Sequence, residues 1–153
     1  MASYELVSAK ARHAVDMAPR MRQVDVDEAW AAAHYKPLKA LMVSCLVSRD
    51  PMAFLADGKT MWMFGVGQRS PFSSIGRPWM LAADGLEGHS RVFLRMSVNY
   101  VKEIVTWYDR LENHVDARNK NTVKWLKWLG YVVEEPEPFG AEGLPFHFFH
   151  MER

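Results

Sequence analysis

A chain of 153 residues with 49% hydrophobic and 24% charged residues has the balance of one folded domain, large enough to bury roughly 70% of the surface its unfolded form exposes. The formal net charge of +1 gives no general electrostatic attraction to nucleic acid or anionic lipid. The single cysteine, Cys45, excludes an internal disulfide and reads as a small buried hydrophobe; no run approaches the ~18 apolar residues of a membrane span, and Met1–Glu5 lacks the basic and apolar regions of a secretory leader.

Tyr4–Val7 alternates weakly and reads as a first strand. Lys10–Arg22 is helix-like, with Ala14, Met17, Ala18 and Met21 near helical spacing and Pro19 as an interruption. Asp25 and Glu28 have the spacing of a capping box and predict a helix from Val26 to Tyr35 that turns Trp30, Ala33 and His34 inward. Pro37 opens a second helix, to Val47, with Leu38, Leu41, Met42 and Cys45 on one face. Phe54–Ala56 and Thr60–Val66 flank Asp57-Gly58, the clearest hairpin signal in the chain. Both faces of the second strand are apolar, so it is expected to be covered on two sides. Gln68–Arg77 reads as a loop and Pro78–Ala83 as an apolar strand ending at Asp84-Gly85.

The longest predicted helix runs from Ser90 to Leu111, roughly 33 Å, and crosses the sheet through Phe93, Tyr100, Ile104 and Trp107. Leu111–Arg118 is a strand of mixed character. Asn119 then caps a helix that stops at Gly130. Tyr131–Val133 is strand-like, Glu134–Pro145 is an acidic loop stiffened by three prolines, and Phe146–Met151 is the final strand.

This order, with the strand–Asn119–helix–Gly130-Tyr131 passage at its end, resembles the GNAT acyltransferase fold. The resemblance implies one α/β domain over residues 1–153, with a mixed, mostly antiparallel sheet of six or seven strands and helices on both faces. A narrower resemblance rests on Met21-Arg22, Asp25 and Glu28, on Pro78–Leu81, on Leu111–Asn119 and on Trp125–Tyr131. With these landmarks in order, the chain from about Tyr4 to Met151 is similar to the internal virion protein A family of short-tailed phages, whose members have a GNAT-like fold. That likeness implies a virion or virion-assembly protein without a cofactor, with other phage proteins as partners, located in the virion or the host cytoplasm.

An active N-acetyltransferase using acetyl-CoA to modify an amine on a host or phage protein is the alternative. The resemblance then implies that Leu81, Ala82 and Ala83 offer backbone to the pantetheine arm. Gly88, His89, Ser90 and Arg91 would surround the phosphates, with Asn119 nearby. The residues argue against this use. The loop Asp84–Arg91 lacks the superfamily's glycine pattern, and Glu87 puts a charge where phosphates sit, an opposition of about 4 kcal/mol at ~4 Å in a surface dielectric near 20. Leu126 stands where the superfamily often has an acidic tyrosine. Asp84, Glu87 and Glu28 are available as bases, but nothing in the sequence pairs them with a perturbing partner.

The remaining candidates are weaker. His147 and His150, three apart on a strand, point to opposite faces and predict no metal site. Lys102, Arg110, Arg118, Lys120, Lys124 and Lys127 read as a solvated face balanced by nearby acids, not a nucleic-acid surface. Asn113 and Asn119 read as turn and cap residues. Phe72 and Phe139, on the loops Gln68–Arg77 and Glu134–Pro145, are the candidate partner anchors.

Overall fold

The computed structural model describes all of residues 1–153. Strand β1 (Tyr4–Ser8) leads into helix α1 (Ala11–Met17), where Pro19 tightens the chain into a single 3₁₀ turn. Helices α2 (Gln23–Ala33) and α3 (Pro37–Leu46) follow, then strands β2 (Ser48–Ala56), β3 (Lys59–Gly67) and β4 (Ile75–Ala82). Helix α4 (Ser90–Ile104), β5 (Arg110–Asp116), α5 (Lys120–Leu129), β6 (Val132–Val133), β7 (Glu137–Phe139) and β8 (Leu144–Glu152) complete the chain. No helix is long and apolar enough to cross a membrane.

The eight strands form one sheet in the order β1-β2-β3-β4-β5-β8-β6, with β7 paired to β8. Every pairing is antiparallel except β4 with β5. This is the mixed, mostly antiparallel GNAT-like architecture expected from the sequence, with one more strand than the upper estimate. The Asp57-Gly58 turn forms with positive φ at both residues, 50° and 79°, as a two-residue hairpin requires.

β3 is the centre of the core and is buried along nearly its whole length. On one side Trp62 meets Phe93 edge-on at 4.8 Å and Phe64 meets Tyr100 at the same separation, which seats α4. α1 and α3 cover the other side, burying Ala14, Met17 and Leu41 with Met63. A second cluster gathers Val66, Ile104, Tyr108, Leu111, Val115, Leu126, Tyr131 and Phe149 under α4 and α5.

Several expectations need correction. α4 stops at Ile104, so its 15 residues span about 22 Å. Trp107 lies in the turn beyond it, under the Arg49 guanidinium, and Leu111 belongs to β5. On α3, Leu41 is buried but Leu38 and Met42 are exposed. On α2 the buried apolar residue is Ala31, Trp30 is 45% exposed, and His34 ends the helix in a left-handed conformation at φ 57°. Glu134–Pro145 is not wholly a loop, since β7 pairs with the start of β8.

Phe54 is fully buried and stacked between Tyr4 and Trp62. Phe54→Ala is expected to cost about 3–5 kcal/mol in urea denaturation, whereas Phe72→Ala, at a side chain 95% exposed, should stay within about 0.5 kcal/mol of the parent.

Candidate functional site

β4 and β5 touch only at their starts. Their parallel ladder pairs Ile75 with Arg110 and Gly76 with Leu111 and goes no further. Glycine is required at this junction: a Cβ at Gly76 would lie 2.6 Å from atoms of Tyr108 and Val66. Beyond it the strands diverge, and each is left with an edge of peptide groups that has no neighbouring strand.

The chain caps those edges with its own side chains. Asn113 spans the narrow end of the opening, its Nδ2 donating to the Pro78 carbonyl at 3.0 Å and its Oδ1 accepting from the His114 amide at 2.8 Å. Further out on β5, the Asp116 amide donates to Glu28 Oε1 at 2.7 Å. On β4, the Ala82 amide donates to Asp25 Oδ2 and the Ala82 carbonyl accepts from the Arg22 amide, each at 2.9 Å. The segment leading into α2 therefore runs along the end of β4 as a short extra strand. Met21 bridges Ala83, and the Asp84 amide donates to the Arg20 carbonyl.

Asp25 and Glu28 are thus not a capping box. α2 already begins at Gln23, so both sit inside the helix. Three residues apart they share a face, and that face meets the two strand edges. The Arg22 guanidinium grips the buried Asp25 carboxylate at 2.9 and 3.0 Å. Burial still pushes the Asp25 carboxyl above its ordinary range, against the pull of Arg22. Glu28 is raised too, to about 8, by desolvation first and by the neighbouring Asp25 and Asp116 charges, against the bond from the Asp116 amide. Asp116 is paired to Arg118 at 2.7 Å. The perturbing partners that sequence spacing did not reveal are Asp25 and Arg22 beside Glu28, and Asp116 from β5.

A cavity of about 400 Å³ lies between the diverging strands. Glu28 and His114 line it, with Trp62, Phe93, Tyr100, Trp125 and Leu126 among its apolar walls. Beside it, a groove between the starts of α4 and α5 gathers Arg22, Glu87, Ser90, Arg118, Asn119 and Lys120.

The residues expected to hold acetyl-CoA are only partly brought together. Ser90 and Asn119 meet in the groove, with Glu87 among them. Gly88, His89 and Arg91 do not line it, and His89 is turned away, its Nδ1 hydrogen-bonded to the Tyr4 hydroxyl at 2.9 Å. On β4, the Ala83 amide is used by Met61 of β3, Leu81 is in register with Met63 of β3, and both polar groups of the Ala82 peptide are taken by Arg22 and Asp25. By the alternation of the strand, only the Met80 peptide faces the cleft uncapped. The groove offers Arg22, Arg118 and Lys120 to the phosphate end of acetyl-CoA but sets Glu87 among them, and β4 leaves only the Met80 peptide for its pantetheine arm.

The Pro-rich segment is docked. Its Ala141 and Glu142 amides donate to the Ala32 and Ala31 carbonyls and so cap the end of α2, while Glu142 bonds His34 at 3.0 Å. Phe139 stacks on His114 at 3.7 Å and packs against Phe146, so it is not a free anchor. Phe72 remains fully presented. His147 and His150 share Glu134, through its carbonyl and its carboxylate respectively.

No family model matches the chain, and no curated protein matches its sequence. Solved structures match its fold. A GNAT-family acetyltransferase from Streptococcus pneumoniae aligns over 99% of this chain and 100% of its own, with a TM-score of 0.63 at 13% identity. Ard1 from Thermoplasma volcanium aligns over 97% of both chains, with a TM-score of 0.70 at 12% identity. Spermidine N-acetyltransferase from Vibrio cholerae, solved in complex with CoA and spermine, aligns over 97% of this chain and 95% of its own, with a TM-score of 0.64 at 12% identity. The chain has the GNAT fold; at these identities the likeness extends to the fold alone.

Two substitutions probe the capped edges. Asp25→Ala leaves the Ala82 amide and Arg22 unpaired and should cost about 3–5 kcal/mol in chemical denaturation. Glu28 keeps its proton to about pH 8 when folded, against an ordinary value of 4.5. Between those values the folded chain binds the extra proton, so stability falls as pH rises. Glu28→Gln keeps an acceptor for the Asp116 amide and removes that titration. Its unfolding free energy in urea relative to the parent should climb from pH 5 to pH 8, with a gain on the order of a few kcal/mol, and the two should converge at lower pH.

Proposed function

We propose that this chain is a virion or virion-assembly protein of a short-tailed phage that uses the GNAT fold as a scaffold for protein–protein contacts, without acetyl transfer. The observation that carries the non-catalytic half is the Ala82 peptide, whose amide and carbonyl are bonded to Asp25 and Arg22. A pantetheine arm seeking the edge of β4 competes there with a buried ion pair. Leu126, with no proton to give, and Glu87, in the groove where phosphates would lie, support the same reading. The phage half rests on the near full-length sequence resemblance.

Contacts in this reading fall to Phe72, on the turn between β3 and β4, with other virion or assembly proteins as partners and the virion or host cytoplasm as the location. Phe139 is withdrawn from that role by its stack on His114.

A second reading, an acetyl-CoA-dependent N-acetyltransferase, is favoured by specific observations. The matched structures are named as acetyltransferases, and Glu28, raised to about 8 beside the cavity, has the proton affinity of a base that works near neutral pH. In that reading Ser90, Arg118, Asn119 and Lys120 would hold the phosphate end of the cofactor, and the thioester would supply the acetyl group.

Calorimetric titration with acetyl-CoA separates the two. The scaffold reading expects no binding in the micromolar range, and a low-micromolar dissociation constant would promote the transferase. A phage carrying a null allele should yield particles lacking a component, with protein acetylation unchanged. Normal particles with altered acetylation would sink the scaffold reading. Phe72→Ala should leave the fold intact and weaken association with the partner by ~2 kcal/mol or more.

A further inference from the structure

The sheet has two outer edges, and the chain treats them differently. At one end β6 has only two residues, and β7, which carries Pro138 and follows Pro136, shares the outer side of β8 with it. A very short strand and prolines are ordinary protection for an edge. At the other end β1 pairs with β2 along its whole length without a bulge. It holds no lysine, proline or glycine, and only Val7 is partly buried. Tyr4 is 39% exposed and Leu6 48%. The bonds that bracket the strand fix which peptide groups point outward. Just before it the Asp57 amide donates to the Ser3 carbonyl at 2.8 Å, and just after it the Ala9 amide donates to the Pro51 carbonyl at 2.9 Å. Odd-numbered residues therefore bond β2. By the alternation of an antiparallel ladder, the N–H and C=O groups of Tyr4, Leu6 and Ser8 face away from it. No other strand and no loop bonds to them.

We propose that this edge pairs with the same edge of a second copy of the chain, antiparallel and centred on Leu6. A two-fold axis at Leu6 sets Leu6 against Leu6 and Tyr4 against Ser8, with both ladder bonds exchanged in each pair. Every outward group is then used. Moving the axis to Glu5 or Val7 leaves one of the three residues without its partner. The side chains agree with that register. Tyr4, Leu6 and Ser8 share one face of the strand, so two half-exposed leucines cover each other across the axis. On the other face Glu5 stands opposite Val7, which keeps the two carboxylates out of directly opposed positions, where like charges destabilise. A strand from any source could satisfy the peptide groups. The match of Glu5 to Val7 and of Leu6 to itself selects a second copy. So short a ladder makes a contact below the roughly 1,200 Å² of a standard interface, so the dimer is weak and forms as concentration rises. Neither functional reading places a partner on β1, and the pairing stands apart from both.

Sedimentation equilibrium of the full chain from about 1 µM to about 1 mM tests it. The average mass should rise from that of one chain toward that of two. Leu6→Pro removes an outward N–H and no bond to β2. It should keep the folded near-ultraviolet circular dichroism signal and weaken the dimer about tenfold or more. Leu6→Lys sets two like charges across the axis and serves the same purpose if the proline variant does not fold. In a Cys45→Ala background, Leu6→Cys should oxidise to a covalent dimer, because bonded pairs with Cα atoms about 5.5 Å apart lie within disulfide reach. Val15→Cys, at an exposed position on α1, measures cross-linking by random collision and should stay largely monomeric. The mass of one chain at every concentration would overturn the proposal and leave the edge to a strand of another protein. A dimer that both Leu6→Pro and Leu6→Lys leave intact would overturn it too, as would cross-linking no faster at Leu6→Cys than at Val15→Cys.

Discussion

Two strands that start together and then part create the central problem of this fold. A sheet edge inside a protein is a row of donors and acceptors that still require partners. Besides the uncapped Met80 peptide, five peptide groups of β4 and β5 point into the opening: the Pro78 and Ala82 carbonyls and the Ala82, His114 and Asp116 amides. Leaving each unpaired would cost about 1–3 kcal/mol, a total comparable to the whole stability of a domain. Asn113, Glu28, Asp25 and the Arg22 backbone supply every one of those partners. The placement of α2, the course of the chain before it and the convergence of three acids near one cleft all follow from that requirement.

The solution creates an electrostatic difficulty. Asp25, Glu28 and Asp116 converge, and only two guanidiniums, those of Arg22 and Arg118, sit against them. With two cations for three carboxyls, the group with no direct ion pair, Glu28, keeps its proton to about pH 8. Arg118 stays half in solvent while Asp116 is buried, so the charge is stabilised from outside. A protonated Glu28 still accepts from the Asp116 amide through its carbonyl oxygen, so the capping role survives neutralisation. One arrangement thus serves as a structural cap and as a carboxyl titrating near neutrality.

Much of the fold was legible from local chemistry. The Asp57-Gly58 hairpin, the helix that ends at Gly130 and the two-sided burial of β3 depend on short-range pattern, and each is found, although Asn119 occupies the N-cap position without a side-chain cap bond. α4 was drawn too long because Trp107, Tyr108 and Leu111 continue a helical spacing of apolar residues after the backbone has left the helix. Tyr108 and Leu111 are indeed buried, but from a turn and from β5. β7 was hidden by the glutamates and prolines that make Glu134–Pro145 read as loop. The site was least legible. Asp25 and Glu28 carried the right spacing for a local cap, and only the distant strand edges show what that spacing serves. Asn113 read as a turn residue, but it lies within β5 and its side chain bonds the Pro78 carbonyl and the His114 amide.

Helix α2 is held at three points along its length: to β4 through Asp25, to β5 through Glu28 and to the segment before β8 through His34. Those contacts span 57, 88 and 108 residues of chain. None is local, so each depends on a long loop having closed first. A growing polypeptide emerges N-terminus first, and α2 is among its earliest helices. Its contact with β4 can form once Ala82 has emerged, but the contacts through Glu28 and His34 wait for Asp116 and Glu142. The helix that organises the cleft is synthesised early and fully seated only late.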